Sequence, residues 1–405
     1  MPKTIVLAFS AGLDTSYCVL DLINRGFDVV TLFVDTGGVG AIKAEWIKRR
    51  ALELGALEHH SVNGSAALWD DFVVPFVMGG ALYGGQYPLL CSDRTVIAAE
   101  TAHLAKQINA DAVAHGCTAM GNDQVRFDLA LQSLTRLPII APIRDLMSSV
   151  ALPREHEIAF LNKAGFDVES DASRYSINEN ILGVTMSGSE IDEFEAPDES
   201  QTRRMTAPRA QWPAEPLTVS LTFEHGALTA IDGERGDGPA MLKVLNEHFG
   251  AYGVGRETYT GDTVIGLKGR IVFEAPGLFA LLCAHRALKE TTLTKSQASF
   301  SPMIASKWSE LVYSGLFHDP LRADLERFIR SSQQRVTGEV LVQTDGGSCT
   351  AVAVRSANTL SNPDAVYAQS ADWSAAEAEG FIKLFGLSSA TWSKTDQQPN
   401  PMEPA

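Results

Sequence analysis

The chain has 405 residues, 45% of them hydrophobic, which is enough for two domains with substantial cores. Its 33 basic and 49 acidic residues give a formal net charge of -16, the wrong sign for broad attraction to a nucleic-acid backbone. No run of about 18 apolar residues is present to span a membrane, and Met1-Pro2-Lys3-Thr4 leads into an apolar strand without a cleavage-site pattern, so a cytoplasmic location is expected.

Residues 4–9 form a short apolar run that reads as a buried parallel strand, followed at once by Ser10-Ala11-Gly12-Leu13-Asp14-Thr15-Ser16. Val19, Leu20, Leu22 and Ile23 mark a helical stripe that stops at Asn24-Arg25-Gly26, and a second strand follows over 29–34. Helices over 41–54 and 92–109 and a strand over 111–114, closing on His115-Gly116, continue the alternation. The pattern predicts an α/β fold: a doubly wound parallel sheet forming a nucleotide-binding domain over 1–170, with ligands at the carboxyl ends of its strands.

From 187 to 216 the rhythm breaks into a polar stretch with Pro197, Pro208, Pro213 and Pro216, a linker or extended surface loop. Residues 217–223, a turn at Glu224-His225-Gly226 and residues 227–231 carry a hairpin signature. Helices over 240–248, 277–289 and 321–331, mixed with strands over 264–273 and 338–354, predict a second, α+β domain over 171–387. It ends in a helix over 375–385, and the tail 388–405 is expected to lack fixed structure.

Five cysteines, Cys18, Cys91, Cys117, Cys283 and Cys349, are scattered without a C-x-x-C pair, which argues against a disulfide framework or zinc site. Cys117 reads as a packed thiol.

The segment 10–16 has what a pyrophosphate-binding loop needs: small residues that let backbone N–H groups approach phosphate oxygens, hydroxyl donors, and a following helix N-terminus. It is neither a Walker loop nor a dinucleotide fingerprint. The plainer alternative is a strand-to-helix turn in which Asp14, Thr15 or Ser16 only caps the helix. The loop resembles that of the PP-loop ATP pyrophosphatases, with Ala11 where those proteins usually carry glycine. A positive φ at Ala11 would cost roughly 1 kcal/mol or more.

The most specific string is His115-Gly116-Cys117-Thr118-Ala119-Met120-Gly121-Asn122-Asp123-Gln124-Val125-Arg126-Phe127-Asp128. Its amide, carboxylates and guanidinium can converge on a zwitterion after a strand end; a turn at Asn122-Asp123 with Arg126 on the surface is the structural alternative. His115 is read as a satisfied strand-end histidine. Residues 121–127 resemble the signature of the argininosuccinate synthase family, and similar stretches recur at Tyr175-Ser176-Ile177-Asn178-Glu179-Asn180, Tyr252-Gly253-Val254-Gly255-Arg256, Phe273-Glu274-Ala275-Pro276, Glu310-Leu311-Val312-Tyr313 and Glu379-Gly380-Phe381-Ile382-Lys383. The resemblance covers nearly the whole chain, from Thr4 to about Leu387.

It implies ATP binding by Ala8, Phe9, Ser10, Ala11, Gly12, Leu13, Asp14, Thr15, Ser16, Val34 and Gly116, with Ser10, Asp14 and Ser16 nearest the chemistry. It implies aspartate at Thr118, Asn122 and Asp123, and citrulline at Tyr87, Ser92, Asn122, Arg126, Ser176 and Thr185. Gly261 and Phe273 fall on the family's glutamate and tyrosine positions, and Ala119-Met120 on a common Gly-Lys pair. The implied reaction is ATP-dependent condensation of citrulline with aspartate through a citrullyl-adenylate, with Mg2+ held by phosphate oxygens, no resident metal ligands, and a homotetramer joined through the C-terminal helix. Two alternatives stay open: a modified ureido substrate such as N-acetylcitrulline, and a non-catalytic ligand-binding relative.

Overall fold

The computed structural model describes residues 2–166 and 174–396. Strand Lys3–Ala8 is buried from Ile5 to Ala8, as expected of a strand covered on both faces. It pairs in parallel with Phe27–Asp35 on one side and Ala112–Ala114 on the other. Glu58–Asn63 and Ile139–Ile140 complete a five-stranded sheet, also by parallel pairing. The chain builds outward from Lys3–Ala8 in one direction and then crosses to add Ala112–Ala114 on the other. The strand order therefore reverses between these two neighbours, and their carboxyl ends open the crevice where such folds bind ligands.

The two faces of this sheet are covered differently. Leu7, Phe9, Tyr17, Leu22, Ile47 and Leu161 pack on one face. On the other, Val6, Ala8 and Val30 join a core containing Trp69, Phe76, Leu242, Leu278 and Trp308. Residues from both expected domains share this core. The boundary expected between 170 and 171 lies outside the described residues.

The second half contains two antiparallel sheets. One has the order Arg256–Asp262, Lys268–Glu274, Gly183–Ser187, Ser176–Asn180. The other runs Glu234–Arg235, Ala227–Ile231, Leu217–Glu224, Gly338–Gly346, Ser348–Arg355. The strand expected over 264–273 is instead the second arm of a hairpin. Its turn is closed by Thr263 N–H donating to Leu267 O at 2.7 Å, with Gly266 at φ +83. The single run expected over 338–354 is two strands, because Gly346 and Gly347 both take positive φ, +124 and +76, and reverse the chain.

Helix Lys295–Tyr313 runs through a segment for which no element was predicted, and it accommodates Pro302 in its interior. A Thr294–Gln297 capping box starts it, and buried Ala305, Trp308, Leu311 and Val312 anchor it.

Residues up to Thr359 form one compact unit and those from Leu360 a second. In the second, Ser374 and Glu377 form the capping box of helix Ala375–Phe385. The tail expected to lack structure from Ser388 instead continues as helix Leu387–Asp396; residues 397–405 lie outside the described residues.

Candidate active site

The crevice at the switch point holds a cavity of about 770 Å3 lined by Ala8, Phe9, Ser10, Gly12, Leu13, Asp14 and Thr15 from the first strand-end loop, and by His115, Gly116 and Cys117 from the second. Val34 lines it from the neighbouring strand, and Ser176 and Glu179 from the second half. The helix after the first loop begins at N-cap Gly12 without a side-chain cap, so the capping alternative is not realised. Its first-turn amides point toward the loop, as an anion site requires. The hydroxyls of Ser10 and Thr15 lie 3.3 Å apart on the same rim.

Two residues of this loop stand apart. Ser16 is buried, at 2% exposure, and is not among the cavity-lining residues. Ala11 takes φ +61, the conformation in which a Cβ costs about 1–2 kcal/mol. Gly116 explains how the two loops lock together. A Cβ there would come within 2.9 Å of Thr15 Cγ2, so only glycine permits this approach.

Beneath the loop, Asp14 shares a hydrogen bond with Glu157. Burial, and then the Asp14 charge, push the Glu157 carboxyl up to about 8. Burial also raises Asp14, against the Glu157 hydrogen bond and the Arg154 charge. The two carboxyls therefore oppose each other's ionisation. Lys43, Arg154 and Arg204 add cationic side chains to the lining. Met120, at the position of the family's common lysine, is 71% exposed, so the positive charge comes from elsewhere in the chain.

His115 is 1% exposed; Nε2 lies 2.8 Å from Asp128, and Nδ1 accepts from Cys117 N–H at 3.2 Å. Asp128 also accepts from Arg144 at 2.7 Å. Its burial would raise its carboxyl, but the bonds from His115 and Arg144 hold it below the usual range. The satisfied strand-end reading of His115 is what the structure contains.

A buried charge network links the cavity to an aromatic cluster. Arg94 Nη1 donates to both oxygens of Asp93 at 2.7 Å, and Arg94 Nε donates to Asp123 at 3.0 Å. Arg126 Nη1 donates to the other Asp123 oxygen at 2.8 Å, and its Nε to Tyr313 O at 2.9 Å. Burial alone would raise Asp123, yet the charges of Arg94 and Arg126 hold it below the usual carboxylate range. Arg126 is buried, which contradicts the surface alternative, and its guanidinium sits 4.8 Å from the Tyr313 ring centroid.

That cluster is built of packed rings. Tyr83 stacks on Tyr313 at 3.7 Å, and Tyr87 meets Tyr259, Phe273 and Tyr313 at 5.6, 5.8 and 5.9 Å. Asn122 borders it, donating toward Tyr313 Oη at 3.4 Å and accepting from Val264 N–H at 3.0 Å. Phe273 is fully buried behind Tyr87. Thr185 pairs with Phe273 in the sheet register. Ser92 is buried with its hydroxyl donating to Leu89 O at 2.7 Å. Thr118 is half-buried on the second loop.

Gly261 gains a physical reason: a Cβ there would fall 2.4 Å from the Tyr259 hydroxyl. The space beside strand Arg256–Asp262 is already filled by that phenol, which donates to Asp262 O at 3.0 Å.

Sequence reasoning therefore placed the two loops but missed Asp93, Arg94, Glu157, Tyr259 and the role of Tyr313. Asp93-Arg94 directly after Ser92 was the available signal, an acid–base pair opening a helix.

The chain matches the family models described as arginosuccinate synthase N-terminal HUP domain, over residues 4–167, and arginosuccinate synthase C-terminal domain, over 175–392. It is 54% identical over 395 residues to argininosuccinate synthase of Xanthomonas campestris pv. campestris, covering 98% of this chain and 99% of the relative. The corresponding protein of Xylella fastidiosa is 53% identical, with 98% of each chain covered. That of Methanothermobacter thermautotrophicus is 35% identical over 401 residues, again with 98% of each covered.

Proposed function

The chain belongs to the argininosuccinate synthase family of ATP-dependent ligases, and from that premise we propose how its nucleotide cavity and the aromatic cluster beside it divide the condensation of citrulline with aspartate. The observation that carries the division is the Asp93–Arg94–Asp123–Arg126 network, whose Asp93, Arg94 and Asp123 line the nucleotide cavity while Arg126 stacks on Tyr313 in the aromatic cluster.

ATP lies in the cavity with its phosphates on the loop Ser10–Ser16 and its adenine toward Val34. Citrulline lies where the cavity meets the aromatic cluster, toward Tyr87, Asn122 and Arg126 and the cavity-lining Ser176, and its ureido oxygen attacks the α-phosphorus. Pyrophosphate leaves toward the amides and hydroxyls of the first loop. Aspartate, held at Thr118, Asn122 and Asp123, then attacks the activated carbon with its amine, and AMP leaves. No covalent enzyme intermediate is needed; the protein contributes placement and fixed charge. Since Arg94 and Arg126 already pair Asp123, its task is to fix those arginines as well as to face an ammonium.

Among the described residues no group of three or more metal-binding side chains converges. Asp93 and Asp123 are engaged by arginines, and Asp14 by Glu157. This donor set suits Mg2+ carried in by ATP and held by its phosphate oxygens, where the ion would neutralise phosphate charge. We further place the protein in the cytoplasm as a homotetramer, supported by the exposed Phe381, Ile382, Leu384 and Phe385 of the C-terminal helix.

The test is pyrophosphate release from MgATP with citrulline and aspartate, each omitted in turn, and with N-acetylcitrulline in parallel. Release that requires citrulline, with argininosuccinate formed, supports the proposal. Turnover confined to N-acetylcitrulline would reassign the substrate.

A further inference from the structure

Two of the five cysteines meet although 66 positions separate them. Cys283 lies on helix Pro276–Thr292 and Cys349 on strand Ser348–Arg355, an edge strand of the antiparallel sheet that contains Gly338–Gly346. The helix packs on that sheet, and Cys349 and Ala351 alternate with exposed neighbours, so Cys349 faces the helix. Cys283 Sγ reaches Cys349 O at 3.5 Å, while Cys349 Sγ reaches Phe279 O, one helical turn before Cys283, at 4.0 Å. The thiols therefore reach past each other, each toward a backbone carbonyl on the other's element. Both are partly exposed, whereas Cys18 and Cys91 are buried.

We propose that Cys283 and Cys349 are an oxidation site, a dithiol that closes to an intramolecular disulfide between helix and sheet when a peroxide is present. The chemistry suits the pair. The contact with the Cys349 thiol, with lesser help from the Ala351 amide and Arg286, brings Cys283 down to about 7 against its burial. The same contact pushes Cys349 up, so the two sulfurs have different tasks.

The Cys283 thiolate attacks one peroxide oxygen and the O–O bond breaks. The departing hydroxide takes a proton and leaves as water, and Cys283 is left as a sulfenic acid. Cys349 sulfur then attacks Cys283 sulfur as its own proton passes to the leaving hydroxyl. The S–O bond breaks and a second water departs. Two thiols have lost two electrons in total, and one peroxide has gained them.

Neither residue lies in the nucleotide cavity or the aromatic cluster, so closure leaves the site intact and braces the second half of the chain. The bond links residues far apart in sequence, which restricts the unfolded chain most.

The experiment uses the full-length protein with hydrogen peroxide, followed by thiol titration under denaturing conditions, peptide mass mapping and thermal unfolding. The expected thiol count falls from five to three, with one cross-linked peptide pair joining Cys283 to Cys349. The unfolding midpoint should rise, and dithiothreitol should restore it. Cys283→Ser and Cys349→Ser should each abolish the cross-link and the rise while keeping citrulline-dependent pyrophosphate release. Five surviving thiols in the native protein, a cross-link through any other cysteine, or a midpoint that rises equally in the variants would overturn the proposal.

Discussion

Arg94 grips Asp123 at 3.0 Å and Asp93 at 2.7 Å, and so one buried guanidinium holds two carboxylates together. Its side chain is 11% exposed, and that of Asp93 5%. Removing the cation strands charge inside the protein. Arg94→Met should destabilise the fold by about 3–5 kcal/mol in urea unfolding, the usual cost of breaking a buried pair. Arg94→Lys keeps the charge but cannot span both partners, so it should cost less and mainly raise KM for aspartate. Equal stability of Arg94→Met and the native chain would contradict this account.

Ala11 sits at φ +61 in the phosphate loop. Ala11→Gly should stabilise the protein by about 1 kcal/mol by removing the Cβ conflict. Denaturant unfolding reads the gain, and KM for ATP should fall or stay level. A loss of stability would mean that the methyl's packing in the core outweighs its strain.

At Gly116 the opposite holds. Its missing Cβ is what lets the second loop approach Thr15. Gly116→Ala should drive the first loop off its position and raise KM for ATP by about tenfold or more, as small misplacements of binding groups do. A nucleotide affinity unchanged in calorimetry would show that the loops do not need this contact.

Glu157 carries the pH dependence. Its folded pKa of about 8 exceeds the model-peptide value of 4.5, so between those limits the folded state binds more protons than the unfolded one. The stability it contributes is complete below about 4.5 and is lost as pH rises through about 8. Unfolding midpoints should therefore fall between about pH 5 and 8 and level off above that, and Glu157→Gln should flatten that slope. An unaltered slope in the variant would assign it to other groups.

Tyr87 is buried among the rings of Tyr259, Phe273 and Tyr313, contacts that a phenylalanine would keep. Tyr87→Phe should therefore leave the unfolding midpoint nearly unchanged. If the phenol binds citrulline, kcat/KM for citrulline should drop by about tenfold to a hundredfold, corresponding to roughly 1–3 kcal/mol. A variant as active as the native chain would remove Tyr87 from the binding site.

Much of this protein is readable from neighbours in sequence. An apolar run bounded by Ser10 and Gly12 specifies a buried strand feeding a loop, and the alternation of strands and helices specifies a parallel sheet whose switch point lies at two strand ends. Periodicity and turn chemistry act over a few residues, so residues 4–16 and 111–116 carry their own instructions. What the tertiary structure decided acts at longer range. Arg126 meets Tyr313 across 187 positions and Arg94 meets Asp123 across 29; Glu157, far from Asp14 in sequence, completes the carboxyl pair. Gly261, a lost carboxylate in the sequence, is in the fold the space that Tyr259 fills. Desolvation makes these pairings matter: a charge or phenol costs little on a free chain, and its partner is fixed only when packing removes water from both.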